Sequence, residues 1–219
     1  PACRPACGSP APQTGCSLLP QFGGYETMGD RCKAGKPDAK GSVQTMSQTA
    51  IVRKDWDTYF MDIAYMVSTR SRCLRRRVGA VLVQGKKLLG TAYNGAPMGV
   101  PDCSEAGCMI AEQYEVEIVD GEERVVKKER CIRTIHAEQN LLLFTDRIDR
   151  EGSTVYVTDQ PCWTCANMLA NSGVTEIVYH RPYPKDADKV SRLMSQKGII
   201  FRPLESYEPP AQAAGGIDN

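Results

Sequence analysis

A chain of 219 residues is long enough for one well-buried domain plus tails. Its formal net charge of +1 gives no electrostatic reason to expect a nucleic acid or a membrane surface as partner. No apolar run approaches the roughly 18 residues that a membrane span needs, and the first residues lack the apolar stretch of a signal peptide.

Residues 1–49 are rich in Pro, Gly, Ser and Gln and show no periodicity, so an unstructured N-terminal segment is expected. Cys3, Cys7, Cys16 and Cys32 fall within it; a separate metal knuckle is conceivable, but the composition favours a tail. Met46, just ahead of the first periodic segment, reads as a sensible initiator. Trp56, Tyr59, Phe60, Ile63, Ala64 and Val67 then recur at helical spacing and predict a helix with one apolar face. Residues 78–83 and 87–93 predict strands joined by a short turn at Gly85. Residues 116–119 and 124–127, around Asp120-Gly121, predict a small hairpin interrupting the stretch between Cys108 and Cys131. Further strands are expected at 154–158, 176–180 and 198–202, and helices at 136–147, 162–172 and 186–197. Strands alternating with helices predict a layered α/β domain over 50–202 with a largely buried sheet. Residues 203–219, with Pro209-Pro210 and Gly215-Gly216, are expected to be a flexible C-terminal tail. The 10 cysteines lie mostly within or beside this α/β pattern, which points to metal binding in a reducing, cytoplasmic setting rather than to secreted disulfides.

The chemistry concentrates in His136-Ala137-Glu138 and, after a predicted strand, Pro161-Cys162-Trp163-Thr164-Cys165. One imidazole and two thiolates suit zinc, and three protein ligands leave the fourth tetrahedral position for water, as in a catalytic site. Zinc brings the pKa of such a water towards neutrality. Pro161 suits a first helical turn, and Leu141, Leu142 and Phe144 give the segment after His136 a helical character. Two helix N-termini aimed at one metal favour the thiolates electrostatically. The spacing of Cys162 and Cys165 sets both sulfurs on one side of a turn, while Glu138 is free to face the water. A Cys-x-x-Cys pair alone would fit a redox site, but that leaves His136 and Glu138 unexplained. His180 ends a predicted strand without such partners and reads as structural.

The stretch from Trp56 to Phe201 resembles the deoxycytidylate (dCMP) deaminase family of the cytidine deaminase superfamily. Besides the zinc motif, the resemblance is carried by residues 78–83, by Tyr93-Asn94-Gly95-Ala96-Pro97-Met98-Gly99, by the block 131–140 from Cys131 to Asn140, and by 155–158. It implies a three-layer α/β/α sandwich around a five-stranded mixed sheet, and a Zn2+-dependent hydrolase converting dCMP to dUMP and ammonia for thymidylate synthesis. It implies that His136, Cys162 and Cys165 hold the zinc. Glu138 then moves protons from the water to N3 and to the leaving 4-amino group of cytosine. Ala137 would offer its N–H to the pyrimidine O2, Asn94 would bind the sugar, and Tyr183 would cover the nucleotide. Arg147 is a candidate phosphate or subunit contact, and the cluster Arg70, Arg72, Arg75, Arg76 and Arg77 is either a solvated face or a phosphate site. Cys73, Cys103, Cys108 and Cys131 would bind a second, structural zinc, the alternative being buried reduced thiols. The resemblance also implies a homo-oligomer and dCTP or dTTP effectors. Competing expectations are a zinc deaminase of another base (cytidine, guanine, a riboflavin precursor or tRNA adenosine) and a zinc-stabilised binding module without turnover. The near-neutral charge argues against the tRNA substrate, and Glu138 argues against the module.

Overall fold

The computed structural model describes residues 52–119 and 121–211; the expected N-terminal segment 1–49, with its cysteines, and residues 212–219 lie outside the described residues. Asp55 begins the order: its carboxylate accepts from the Thr58 N–H at 2.9 Å and caps helix α1 (Trp56–Ser68). The buried stripe of α1 is Phe60, Met61, Ala64, Tyr65 and Ser68. This corrects the expected face, because Trp56 and Tyr59 are both 47% exposed, and Trp56 instead stacks on Phe60 at 5.7 Å. Strands β1 (Gly79–Gln84) and β2 (Lys87–Tyr93) pair antiparallel through Gly85 and Lys86. Both turn residues have positive φ, 52° and 70°, as a two-residue turn matching strand twist demands. Gly79 has a different reason: a Cβ there would sit 2.0 Å from the Ala64 carbonyl oxygen, so α1 lies directly on the β1 backbone.

A short helix α2 (Cys103–Ala106), not expected from sequence, is closed by Asp102 and Glu105 in a capping box. The hairpin seen at 116–127 is only the tip of a longer arm, β3 (Ile110–Val119) with β4 (Glu122–Cys131), which forms its own two-stranded sheet. Helix α3 (Ala137–Leu143) stops short of the expected residue 147. The Thr145 hydroxyl donates to the Leu141 carbonyl at 2.6 Å, and the Arg150 guanidinium donates to that of Leu142 at 2.8 Å, so side chains satisfy carbonyls a longer helix would use. A one-turn helix α4 (Arg147–Arg150) follows.

Strand β5 (Thr154–Asp159), helix α5 (Trp163–Ala170), strand β6 (Glu176–Arg181), helix α6 (Ala187–Lys197) and strand β7 (Ile200–Pro203) complete the domain. The sheet order is β2-β1-β5-β6-β7, antiparallel at β2/β1 and β1/β5 and parallel at β5/β6 and β6/β7. This is the expected five-stranded mixed sheet. Successive strand residues feed opposite faces. Val81, Val83, Tyr156 and Val178 meet Phe60, Met61 and Ala64 of α1. Ala80, Leu82, Val155, Val157 and Ile177 meet Leu141, Leu169, Val190 and Met194 from α3, α5 and α6. Both faces are covered, hence the three α/β/α layers and the near-continuous apolar strands. Two residues expected in the flexible tail are packed instead: Tyr207 is 8% exposed, stacks on Tyr65 at 5.6 Å and donates to Asp62 at 2.8 Å, while Leu204 packs into the same cluster.

Candidate active site

The site forms at the carboxyl ends of the parallel strands β5 and β6, where chain leaves the sheet into helix. Pro161 breaks the ladder after β5, and Cys162 becomes the N-cap residue of α5, with Cys165 in its first turn. His136 stands in the same relation to α3, its N–H donating to Gln139 Oε1 at 2.9 Å. The two helix starts expected from the sequence therefore converge. His136 Nδ1 lies 3.4 Å from Cys165 Sγ and 3.6 Å from Cys162 Sγ. Zinc about 2.3 Å from sulfur and about 2.0–2.1 Å from nitrogen, at a tetrahedral angle, separates the two donors by about 3.6 Å. The three donor atoms thus fit one zinc ion.

Glu138 is 4% exposed beside this triad. Burial pushes its carboxyl up to about 7, against the opposing pull of His136; a dication held by the triad works in the same direction as His136. Hydrogen bonding from Cys165, against burial and together with His136, holds the Cys162 thiol down to about 3. The Cys162 sulfur and burial push Cys165 far up.

These groups open into a cavity of about 510 Å³. Asn94, Ala137 and Tyr183 line it; Arg147 does not, being an exposed residue at the start of α4. Asn94 is already engaged: its Oδ1 accepts from the Val78 N–H and its Nδ2 donates to the Arg76 carbonyl, both at 2.9 Å. One lone pair and one N–H remain for a ligand. The following loop is pinned to the residue before His136 by reciprocal Gly95 and Ile135 backbone bonds of 3.1 and 2.8 Å.

The arginine cluster is dispersed. Arg72 pairs with Asp102 and Glu105, while Arg75 and Arg76 reach the cavity. Asp159, a cavity residue the sequence did not single out, takes Arg76 at 2.5 Å and Arg181 at 2.7 Å. Gln160 was also missed: its Oε1 accepts from the Tyr183 N–H at 3.1 Å, and its buried Nε2 has no partner among the described residues. Both lie just before Pro161, and no periodicity or spacing marks such residues; only the strand end brings them inward. Lys128, Glu129 and Arg130 of β4 were missed for the same reason.

A second group of thiols lies nearby. Cys103, Cys108 and Cys131 converge, with Cys103 and Cys131 Sγ atoms 3.8 Å apart, the separation of two thiolates on a tetrahedral zinc. Burial and Cys131 push Cys103 up to about 12. Burial works most strongly on Cys131 too, but hydrogen bonds from the Arg133 and Met109 backbone and from Cys103 and Cys108 together outweigh it and lower that thiol. Cys73 is buried close enough to act on Cys103 electrostatically, yet it is not one of the three whose sulfurs converge. His180 is no ligand of either group; its Nδ1 meets the Tyr65 hydroxyl at 2.5 Å.

The family described as the cytidine and deoxycytidylate deaminase zinc-binding region matches residues 54–181. A deoxycytidylate deaminase of Mycobacterium phage D29 is 43% identical over 128 residues, which are 58% of this chain and 95% of the phage protein. The deoxycytidylate deaminase of Schizosaccharomyces pombe is 37% identical over 160 residues, 72% of this chain; this chain spans about half, 46%, of that relative's length. The crystal structure of dCMP deaminase from the cyanophage S-TIM5, in complex with dCMP and dUMP, is similar at a TM-score of 0.49 and 25% identity, covering 70% of this chain and 99% of that one.

Proposed function

We propose hydrolytic deamination of dCMP to dUMP and ammonia as the reaction of this chain, which belongs to the cytidine and deoxycytidylate deaminase family. The observation that carries the reading is the fit of the His136, Cys162 and Cys165 donor atoms to one zinc with the buried carboxyl of Glu138 beside them. When bound there, zinc supplies a Lewis acid and a water acidified towards neutrality. Glu138 is the proton carrier: its carboxylate accepts a proton as water adds to C4 of cytosine, delivers it to N3, and moves a second to the 4-amino group, which leaves as ammonia. A carboxyl serving as base and then acid works best with its pKa near the operating pH, a condition its burial favours. The Ala137 N–H holds the pyrimidine O2, the remaining capacity of Asn94 holds the sugar, and Tyr183 covers the nucleotide; their places on the cavity wall support these roles.

Cys103, Cys108 and Cys131 hold a second, structural zinc, with Cys73 the nearest thiol for a fourth position; the 3.8 Å sulfur spacing supports this. The enzyme works as a homo-oligomer in the cytoplasm. Exposed Leu143, Phe144 and Ile148 around the α3–α4 turn support a subunit contact. Among the described residues no helix is long and apolar enough to cross a membrane. A cavity of about 380 Å³ between Arg70, Arg72 and residues 95–100 supports a dCTP or dTTP effector site there.

Ammonia release measured across free bases, nucleosides and nucleotides tests the reaction. Charge-assisted phosphate contacts predict a kcat/KM for dCMP above that for deoxycytidine by on the order of 10 to 10⁴-fold. Equal rates would mark a cytidine-type enzyme, and turnover of guanine or tRNA without dCMP would reject the substrate.

A further inference from the structure

The arm β3–β4 belongs to a separate two-stranded sheet, yet Lys128, Glu129 and Arg130 of β4 form part of the active-site wall. Alternate residues of a strand share a face, so Lys128 and Arg130 project together and Glu129 oppositely. Consistently, Lys128 and Arg130 are half-buried and Glu129 is exposed. The foot of the arm is tied down. Cys108 precedes β3 by two residues and Cys131 ends β4, so two of the three converging thiols sit at its base. Arg133 adds bonds to the carbonyls of Gly107 and Pro101 at 3.1 and 3.0 Å.

Charge bookkeeping separates the cations of the cavity. Arg76 shares the Asp159 carboxylate with Arg181. Arg130 instead donates to a neutral amide oxygen, Gln113 Oε1, at 3.2 Å, and Arg75 to the Glu129 carbonyl at 3.4 Å. Arg130 and His136 line the same cavity. A guanidinium held by one neutral acceptor keeps donors for a bidentate contact with phosphate oxygens. A nucleotide whose cytosine meets Glu138 has its only charge on the 5′-phosphate, and Arg130 offers that charge a counterpart that no carboxylate among the described residues already matches.

We infer that Arg130, with Lys128 beside it on β4, is a specificity-determining residue that selects the 5′-phosphorylated substrate, the arm serving as the phosphate-recognising wall of the cavity. This rests on the reading of the chain as a dCMP deaminase.

The wild-type enzyme is assayed first: no turnover of dCMP would sink the reaction proposed above, and calorimetric binding of dUMP against deoxyuridine would then test the phosphate wall by itself. With dCMP turned over, Arg130→Gln is expected to lower the ratio of kcat/KM for dCMP to that for deoxycytidine by at least about tenfold, through KM for dCMP. Arg130→Lys should recover part of it, and dUMP affinity should fall by a similar factor while deoxyuridine affinity does not follow. An unchanged ratio, or equal losses on nucleotide and nucleoside, overturns the inference, since a structural role or an effect through His136 would touch both. If Arg130→Gln does not fold with zinc bound, Lys128→Gln decides: the ratio should fall by at least about threefold, and a ratio that stays put overturns it.

Discussion

In the proposed reaction two proton transfers rest on the Glu138 carboxylate, so replacing it isolates the chemistry from the metal. Glu138→Gln keeps the volume, leaves His136, Cys162 and Cys165 in place, and removes the group that accepts a proton. Zinc content is expected to stay at the wild-type level while kcat falls by at least roughly 10² to 10⁴-fold. A variant keeping more than about a tenth of wild-type kcat would remove Glu138 from the role. His180 gives a pH-dependent test of a different kind. Burial, helped by the charge of Arg181, lowers its pKa below the ordinary imidazole value of about 6.5. The folded state therefore binds fewer protons than the unfolded chain as pH falls below 6.5, and stability drops in that window and is flat above it. Urea unfolding of the zinc-loaded protein between pH 7.5 and about 5 should show a steeper acid loss for wild type than for His180→Gln. Identical slopes would mean that His180 titrates alike in both states.

At the scale of elements, the packing of α1 on β1 depends on a missing Cβ. Gly79→Ala places a methyl against the Ala64 carbonyl oxygen and the Ser68 N–H, both backbone atoms that cannot rotate away. The helix must lift from the sheet, and a loss of about 1–3 kcal/mol or more is expected from overpacking, measured as a shift of the urea midpoint at constant m-value. The β3–β4 arm is the opposite case, an element whose order comes from its base. An isolated hairpin is marginal in water, and Cys108 and Cys131 join the foot of this one. Cys108→Ser should therefore raise amide exchange across residues 110–131 while leaving exchange in β1 and β5 near wild type. Uniformly faster exchange over the whole domain would instead make the thiol group part of the main core.

At the scale of the whole molecule, two separate donor sets among the described residues fit zinc, one containing His136 and one made of thiols. Metal analysis of the purified chain should find two zinc ions. Cys165→Ser should lose one ion together with all activity, and Cys108→Ser the other together with the order of the β3–β4 arm, because structural zinc binding is part of the free energy that holds the element it ties. A stoichiometry of one that vanishes only with Cys165→Ser would leave Cys103, Cys108 and Cys131 as buried reduced thiols.

Strand alternation, helix-start chemistry and the metal-ligand spacing are all local, and they sufficed for the α/β architecture, β2 at its exact bounds, the two helix starts and the donor triad. Each of those signals lies within a few residues of chain. The tertiary structure decided the rest, because the rest depends on which surfaces meet. The buried stripe of α1 shifted to Met61 and Tyr65 because β1 and β5 press on that side of the helix. Tyr207 became ordered because Asp62 and the Tyr65 ring receive it. Of the five clustered arginines, Arg72 pairs with Asp102 and Glu105, 30 and 33 residues away in sequence, and Arg76 with Asp159, partners that come close only after folding. Lys128 and Arg130 joined the active-site wall for the same reason: an exposed, charge-alternating hairpin has no inward face in sequence, and only its anchorage at Cys108 and Cys131 turns one towards the cavity.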